Sequence, residues 1–496
     1  MAWPFSRKAA APQRATSFGG YDASRLGRRL KGWVAERRNI NALMTSGGEN
    51  LRARARQLCR ENPYAANACE AFVSAAVGAG IKPSSLIADA ATKKAVQAAW
   101  LRWTDEADAD GLTDFYGLQA LAARAMFEAG ECFIRFRARR PSDGLSVPLQ
   151  LQVLEAEHLP LSHNETLPNG HEVRSGIEFD AIGRRVAYHF LRSHPGDLTL
   201  NFSGLTKTIV PASEVMHLYR PLRPGQIRGQ PGITPGMIRL YLLDSYDDAE
   251  LDRKRTAAMF VGVITKNANE PAPLSGSPAD DMTTPLDVSV AEMQPGTMLN
   301  LLEGEDVKFS APTEVGGSYE AFQFRSLCAI AAAVGVPYHT VSGDLSKANY
   351  GSQRGGQVEY RRRMDQFQFA TLVFQMCRPV WTRWMEAAVL SAAVPIAPRD
   401  FLRNRPAMTS VKWIPPRWEW VDPKKDREAQ AIAEDRGWVS RSDSIEAEGY
   451  DPEEVDARIA ADRAREEKLG LNFTPKATTP ATPGPPPAED VTGFAA

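Results

Sequence analysis

An acidic run between two predicted helices is the sharpest candidate for a metal site. Asp105 to Gly111 reads DEADADG, which resembles the start of a calcium-binding loop. Such a loop needs a bidentate carboxylate at its twelfth position. The best alignment begins at Glu106 and places Gly117 at position twelve, so that ligand is missing. The run therefore favours a solvated acidic turn between helices over a calcium site.

A group of histidines and glutamates in one predicted loop could bind a metal or transfer protons. Its members are His158, His163, His171, Glu155, Glu157 and Glu165. No HExxH or HxH spacing occurs among them to set their mutual geometry. We therefore expect a surface loop with ordinary histidines.

Three neighbouring residues have the types of a catalytic triad. Ser342, Asp344 and His339 stand within six positions of one another. Neighbours in a loop cannot adopt triad geometry without a scaffold that separates them. The chain also has no GxxxxGK[ST], GxGxxG or GxSxG motif for a phosphate cradle or a nucleophile elbow. We predict no enzyme, and therefore no catalytic residue, no cofactor and no metal.

Composition narrows the class of protein further. The 496 residues carry 59 Lys and Arg against 60 Asp and Glu, a net charge of −1, which argues against binding nucleic acid by bulk charge. No apolar run approaches the ~18 residues of a membrane helix, and no secretory signal is recognisable at the N-terminus. Five scattered cysteines without a CxxC pair are typical of a reducing compartment.

The two ends of the chain differ from its middle. Residues 1–60 contain 13 basic and 3 acidic residues, which predicts either a mobile basic arm that touches phosphate or a solvated tail. Residues 476–496 are rich in Pro, Thr and Ala and cannot bury a core. We expect this C-terminal segment to be disordered.

Periodicity predicts an α+β domain in the first half of the chain. Helical spacing covers 49–77, with a break at Asn62-Pro63, and returns at 93–103 and 115–129. Alternation of period two then indicates strands across 130–220, including a hairpin that turns at 180–183. Helices followed by a β-rich stretch indicate an α+β fold with helices covering the sheet.

The second half is mainly helical. We predict one helix from Met237 to Ile264, irregular chain with short strands at 298–302 and 307–309, and a helix from Tyr319 to Val334. A Gly- and Ser-rich loop at 335–352 precedes a helix from about Arg354 to Leu390, too long for an ordinary compact enzyme core. A small helical unit occupies 421–471, with Asp-Pro pairs marking two helix starts.

A series of short motifs resembles lambda-type phage portal proteins. The first two are NPYAANACEA at 62–71 and GAGIKP at 78–83, and GDLSKANY at 343–350 is among the later ones. The remaining blocks are 130–134, 149–158, 215–226, 248–254, 295–298, 335–338, 418–423 and 449–454. Each block alone is weak, but together they follow the family order over about residues 50–455.

This resemblance implies a head-tail connector at the portal vertex of a virion. The family forms a homo-oligomeric ring, usually of twelve subunits, at one capsid vertex, and a large terminase subunit drives double-stranded DNA through it. The DNA later leaves by the same route, and head-completion proteins attach to the ring. The implied partners also include the major capsid and scaffold proteins and non-specifically bound double-stranded DNA, with no membrane; assembly would take place in the host cytoplasm.

The portal-protein fold has an α/β wing, a helical stem, an irregular α/β clip and a helical crown. Mapped onto this chain, the resemblance implies the following divisions: a basic arm at 1–48, the wing at 49–232, a first stem helix at 233–260, the clip at 261–316, a second stem helix at 317–334, a tunnel loop at 335–353, a long helix and return to the wing at 354–421, the crown at 422–471 and a Pro-rich tail at 472–496.

The tunnel loop supplies the candidate DNA-channel residues, which are Lys347, Asn349, Tyr350 and Arg354. DNA carries a negative charge about every 1.7 Å, so a uniformly basic channel would hold it, whereas a near-neutral subunit with scattered positive rings would let it slide. The alternative for these residues is an ordinary exposed loop before a helix. Arg361, Arg362 and Arg363 cannot share one helical face, so we expect at least one of them in an intersubunit ion pair.

Two other functions stay open. One is a ring-forming head-tail adaptor without a packaging role. The other is a DNA-processing enzyme of the packaging machinery, which should show paired carboxylates or a P-loop, and neither is visible.

Overall fold

The computed structural model describes residues 36–197, 206–258, 262–266, 305–309, 318–346, 349–418 and 422–471. The helices are α1 Ile40–Glu61, α2 Pro63–Val77, α3 Ala90–Thr104, α4 Phe115–Glu128, α5 Met237–Ala258, α6 Ser318–Val334, α7 Tyr338–Ser342, α8 Tyr350–Phe367, α9 Arg378–Leu390, α10 Pro398–Arg403, α11 Arg405–Met408, α12 Pro423–Asp435, α13 Arg441–Ala447 and α14 Pro452–Leu469. No helix in these ranges is long and apolar enough to cross a membrane.

The described strands pair into antiparallel sheets. They are β1 Lys82–Ser85, β2 Glu131–Ala138, β3 Leu149–Leu154, β4 Glu165–Thr166, β5 Glu172–Arg174, β6 Ile177–Phe179, β7 Arg185–Leu191, β8 Lys207–Pro211, β9 Val215–Tyr219, β10 Gly262–Lys266, β11 Glu305–Phe309 and β12 Val411–Ile414. The strand orders are β3-β2-β9 and β4-β5-β6-β7-β8, with two separate pairs, β1-β12 and β10-β11. The α+β prediction for the first half and its hairpin at 180–183 are confirmed.

Local sequence explains why the first helices begin and end where they do. The side chain of Asn62 accepts hydrogen bonds from the backbone N–H groups of Tyr64 and Ala65, and Pro63 occupies the first helical position of α2. An Asn cap followed by Pro is a strong signal for the start of a helix. The backbone N–H of the first helical residue has no partner within the helix, so a proline, which has no N–H, costs nothing there. The predicted break between α1 and α2 is therefore confirmed.

The predicted helix from Met237 to Ile264 is wrong at its C-terminal end. Helix α5 ends at Ala258, and Gly262–Lys266 forms strand β10, which pairs with β11. Val263, Ile264 and Thr265 are β-branched, so they favour an extended chain once a pairing strand is available. The predicted strand at 307–309 is confirmed within β11, whereas the predicted strand at 298–302 lies outside the described residues.

The long helix is continuous but changes its winding. Between α8 and α9 the segment Gln368–Cys377 is a π-helix, in which the N–H of Arg378 bonds to the carbonyl of Val373, five residues earlier. Pro379 follows and has no N–H of its own, so an ordinary α-helical ladder would be broken at this point. A π-helical stretch next to this proline keeps the helix running.

The loop predicted at 335–352 is shorter than expected. It contains α7, and α8 begins at Tyr350, which leaves the connection 343–349. Helix α7 ends at Gly343, whose φ of +71° is the left-handed conformation that a helix-terminating glycine adopts at little cost.

The C-terminal helices follow their predicted caps. The carboxylates of Asp422 and Asp451 accept backbone N–H groups at the starts of α12 and α14, and Ser440 with Asp443 forms a capping box at α13. No residue in α12 or α14 is buried, so burial of side chains contributes little to these two helices.

The described residues contain three apolar cores. One of them joins β2 to the five-stranded sheet around Phe133, Tyr188 and Phe190, and the other two hold the helices. The larger one joins α3, α4, the inner face of β2 and β3, and the long helix around an aromatic cluster formed by Trp100, Trp103, Phe115, Trp381 and Trp384. The second core lies where α1 and α2 meet α5 and α6. The two cores together fix the long helix and the α5–α6 pair relative to the sheets.

Candidate functional site

Helices α5 and α6 form a pair that packs against α1 and α2. Leu240 and Leu243 of α5 share the second core with Leu327 and Ile330 of α6, all 4% exposed or less. Further along the pair, the rings of Tyr246 and Tyr319 are stacked with centroids 5.9 Å apart. The pair is therefore held along its length by apolar and aromatic contacts.

The other side of α5 carries apolar residues that face solvent. Ile238 is 75% exposed, Tyr241 65% and Leu242 58%, and the spacing i, i+3, i+4 places them on one face. Phe322 of α6 adds a further ring that is 49% exposed. An exposed apolar face such as that of Ile238, Tyr241 and Leu242 is typical of an interaction surface.

Helix α7 and the following turn are fastened to the body of the protein. The amide Nδ2 of Asn67 in α2 donates to the carbonyls of Thr340 and Val341, at 2.6 and 3.0 Å. The carboxylate of Asp344 accepts the hydroxyl of Tyr338 at 3.0 Å and the backbone N–H of Ser346 at 2.8 Å. The base of the candidate tunnel loop is thus held in place on α2.

Three of the four predicted DNA-channel residues, Asn349, Tyr350 and Arg354, lie at the start of α8. Lys347 lies outside the described residues, Asn349 is exposed, and Tyr350 is the first residue of α8. Arg354 is 45% exposed and forms a 2.9 Å ion pair with Asp426 of α12. This contact, which the sequence did not suggest, ties the start of the long helix to the C-terminal helical unit.

The three successive arginines of α8 separate as expected. Arg361 lies over the ring of Trp418, 5.7 Å from its centroid, and Arg363 pairs with Glu359 within the same helix at 3.4 Å. Both contacts lie within the chain. The predicted intersubunit ion pair stays a prediction.

A buried ion-pair network joins α1 and the β2–β9 strand pair to the segment that precedes α5. Glu131 at the start of β2 accepts from Arg228 at 2.7 Å, from Arg52 of α1, and from His217 of β9 at 2.9 Å. Glu131 Oε2, the oxygen that His217 contacts, also accepts the backbone N–H of Gly229 at 2.6 Å. One carboxylate therefore joins α1, two strands and the segment that leads into α5.

Electrostatics keep this network ionised despite its burial. Burial acts to raise the pKa of Glu131, but Arg228, Arg52 and the His217 hydrogen bond hold it well below the usual range. Burial lowers the pKa of His217 to about 4, so this imidazole is neutral near pH 7. The network could not be predicted from the sequence, because Arg52, Glu131, His217 and Arg228 lie in four separate segments of the chain.

The conformation around Gly130 allows this packing. Gly130 has a φ of +87°, and a Cβ placed on it would lie 2.2 Å from the backbone carbon of Gln230. Only glycine fits such an approach, which brings the 228–231 segment directly against the start of β2.

The predicted histidine loop does not form one site. His158 packs near His194, with ring centroids 5.7 Å apart, whereas His171 bonds to Glu178 at 2.6 Å. His163 is buried at 9% exposure, so the expectation of an ordinary surface histidine is wrong for this residue. The five-stranded sheet folds over its side chain, which contacts His189 at 3.2 Å.

The acidic turn and the triad-like residues have structural roles. The carboxylate of Asp108 accepts the backbone N–H groups of Asp110, Leu112 and Thr113, and Asp108 is buried at 5% exposure, so the turn is not simply solvated. The hydroxyl of Ser342 accepts the backbone N–H of Asp344 at 3.1 Å, which is the geometry of a turn.

Comparison with known proteins decides the family. The model of the lambda family of phage portal proteins matches residues 26–368, which include α1 to α8 and all the site residues described above except Trp418 and Asp426. The chain belongs to this family. A probable portal protein of Halomonas phage phiHAP-1 is 28% identical over 389 residues, covering 77% of this chain and 73% of that relative. Portal proteins of Escherichia phages N15 and lambda are 21% and 20% identical, with about nine-tenths of each chain covered.

Solved structures also resemble this portal-family chain. Chains from the neck of empty and native gene transfer agent particles, the latter computed with C12 symmetry, align with TM-scores of 0.46 and 0.44 at 13% and 14% identity. They cover 82% and 84% of this chain and 94% and 95% of theirs. Family membership establishes a portal or head-tail connector role, and proteins of this family are generally structural.

Proposed function

We propose that the chain is a portal subunit that assembles into a closed ring at one capsid vertex. Double-stranded DNA passes through the ring during packaging by a terminase and leaves by the same route, and head-completion proteins attach to it. The observation that carries this proposal is the family match over residues 26–368, which includes strands β1 to β9 and the α5–α6 pair.

The exposed apolar face of α5 supports ring assembly. Ile238, Tyr241 and Leu242 are more than half exposed in the single chain, and closed rings bury such faces between identical subunits. A subunit with a near-zero net charge also suits DNA sliding better than a strongly basic one. The ring of twelve copies remains an expectation from the family resemblance.

The division into regions is part of the same proposal. The wing at 49–232 contains the C-terminal part of α1, helices α2–α4 and strands β1–β9, and α5 and α6 are the two stem helices on either side of the clip at 261–316. We assign the tunnel loop to 335–353, in which helix α7 is held on α2 by Asn67, and the long helix and the crown at 422–471 follow it. In this arrangement Lys347, Asn349, Tyr350 and Arg354 repeat around the channel in every subunit.

Packaging by the purified protein tests the proposal. Empty capsids that contain the ring are combined with terminase, ATP and double-stranded DNA, and the DNA protected from nuclease inside the capsids is measured. We propose that the ring alone hydrolyses no ATP and cuts no DNA, with or without Mg²⁺. Rings that bind head-completion proteins but never support packaging would instead indicate an adaptor.

A further inference from the structure

Two buried thiols and a carboxylate meet at the corner between α1, α2 and α4. Cys59 lies in the last turn of α1, Cys69 in the middle of α2, and Glu128 is the final residue of α4. Cys59 is 8% exposed and Cys69 is fully buried. One ligand atom from each of the three residues lies within 4.8 Å of the others, and Cys69 Sγ is 3.7 Å from Glu128 Oε1.

We propose that this cluster, formed by Cys59, Cys69 and Glu128, binds a thiophilic divalent metal ion of the zinc class. In a tetrahedral zinc site the metal lies about 2.3 Å from sulfur and about 2.0 Å from oxygen, so adjacent sulfur and oxygen ligands are roughly 3.5 Å apart. The separation between Cys69 Sγ and Glu128 Oε1 is already close to this value. Small side-chain rotations therefore suffice to place all three ligand atoms on one ion.

The partly open side of the cluster leaves room for a fourth ligand. The Glu128 side chain is 21% exposed, in contrast to the two buried thiols. Water can reach the metal from this side and complete four-coordination.

Charge balance favours a metal in this place. Two thiolates, one carboxylate and a divalent ion carry a combined charge of −1. Arg124 Nη1 lies 3.8 Å from Cys69 Sγ and 3.0 Å from Glu128 Oε1, and its positive charge offsets the −1 of the metal and its three ligands. Arg124 Nη2 also pairs with Glu70, but that carboxylate is exposed to solvent, so the buried groups together are neutral. A neutral assembly avoids most of the cost of burying charge.

Metal binding releases two protons, one from each thiol, to the solvent. Without metal, the hydrogen bond to Cys59 and burial raise the pKa of Cys69, so the thiol form is favoured. Binding therefore strengthens as pH rises, which is the usual behaviour of thiolate sites.

The position of the cluster gives the metal a structural consequence. Cys59 and Cys69 belong to the second core, on which α5 and α6 stand. An ion shared by α1, α2 and α4 would clamp the base of the α5–α6 pair and raise the melting temperature of the protein.

Cobalt(II) titration of the full-length protein tests the proposal. The protein is first treated with a chelator and a reductant, and Co²⁺ is then added while the absorption spectrum is recorded. The expected result is one Co²⁺ per chain with a sulfur-to-cobalt charge-transfer band and tetrahedral d–d bands, displaced by Zn²⁺. Glu155, Glu157 and His194 also lie within reach of one ion, but they contain no sulfur and cannot produce the charge-transfer band.

Variants assign the band to this cluster. Cys69→Ser should abolish it, and Glu128→Gln, on the partly exposed side, should weaken cobalt binding while both sulfurs stay. Cys328→Ser, which changes a half-buried cysteine of α6, is the matched control and should leave the band unchanged. A wild-type protein without the charge-transfer band, or a band that survives in Cys69→Ser, would overturn the proposal.

Discussion

Glu131 and Arg228 form an ion pair that is closed off from solvent. Arg228 Nη2 lies 2.6 Å from Glu131 Oε1, and the two side chains are 1% and 0% exposed. Arg228 also donates to the carbonyls of Ser175, Ala156 and Leu159, so its remaining N–H groups are satisfied. This pair connects the sheet to the segment that leads into α5.

Removing the charge of Glu131 should destabilise the fold strongly. Glu131→Gln leaves Arg52 and Arg228 buried without their carboxylate, which typically costs about 3–5 kcal/mol. Urea denaturation followed by fluorescence measures the free energy of unfolding. Glu172→Gln, at an exposed position of β5, is the control and should change it by less than ~0.5 kcal/mol. Equal effects of the two variants would show that the network contributes nothing specific.

The same network predicts a pH dependence of stability. Burial lowers the pKa of His217 from its ordinary value of 6.5 to about 4. Between these values the unfolded chain binds more protons than the folded chain, so the contribution of His217 is fully present above pH 6.5 and is lost as pH falls towards 4. The stability of the wild type should therefore decrease across this window.

His217→Gln isolates this contribution, because glutamine can still donate to Glu131 but does not titrate. Between pH 7 and pH 4.5 the variant should lose less stability than the wild type, by about 2–3 kcal/mol. Denaturation at several pH values measures the difference. Parallel stability curves for the two proteins would contradict the lowered pKa.

Several elements could be predicted from the sequence because their signals are local. The break at Asn62-Pro63 and the starts of α12 and α14 depend on a cap and a proline that act within one turn. The end of α5 could not be found this way, since β10 becomes a strand only by pairing with β11, about 40 residues further along. A helical period alone does not reveal a distant partner.

In the candidate site, too, local features could be predicted from the sequence and contacts between distant segments could not. The resemblance implied a tunnel loop at 335–353, and part of this range folds into α7. The contact of α7 with Asn67 and the Arg354–Asp426 pair could not be predicted, because they depend on elements far apart in sequence. The network around Glu131 unites four segments, and no spacing rule links them. Buried charges become predictable only once the fold that pairs them is known.

A charge introduced on the apolar face of α5 should prevent ring assembly without changing the fold of the chain. Ile238→Lys places a charge on this face, so rings should fail to form while the circular dichroism of the chain stays unchanged. Leu402→Lys is a matched control, since Leu402 lies on α10 and is 76% exposed against 75% for Ile238. Size-exclusion chromatography with light scattering distinguishes rings from single chains. Intact rings in the Ile238 variant would show that the subunits contact one another through a different surface.

The charge of the tunnel loop should affect DNA and leave stability unchanged. Lys347→Glu should preserve ring assembly and melting temperature, because exposed loop substitutions usually cost less than ~0.5 kcal/mol. DNA packaging should fall, and more at low salt than at high salt, since the added repulsion is screened. Lys94→Glu, at an exposed position of α3, is the control. Normal packaging by the Lys347 variant at both salt concentrations would show that this loop does not line the channel.

The mass of the native assembly tests the central claim most directly. Native mass spectrometry of the purified wild-type protein, at micromolar concentration and moderate salt, should give one closed species whose mass is a large integral multiple of the 54.4 kDa chain. Electron micrographs of the same sample should show rings with a central opening. A stable single chain under these conditions would contradict the portal-ring account.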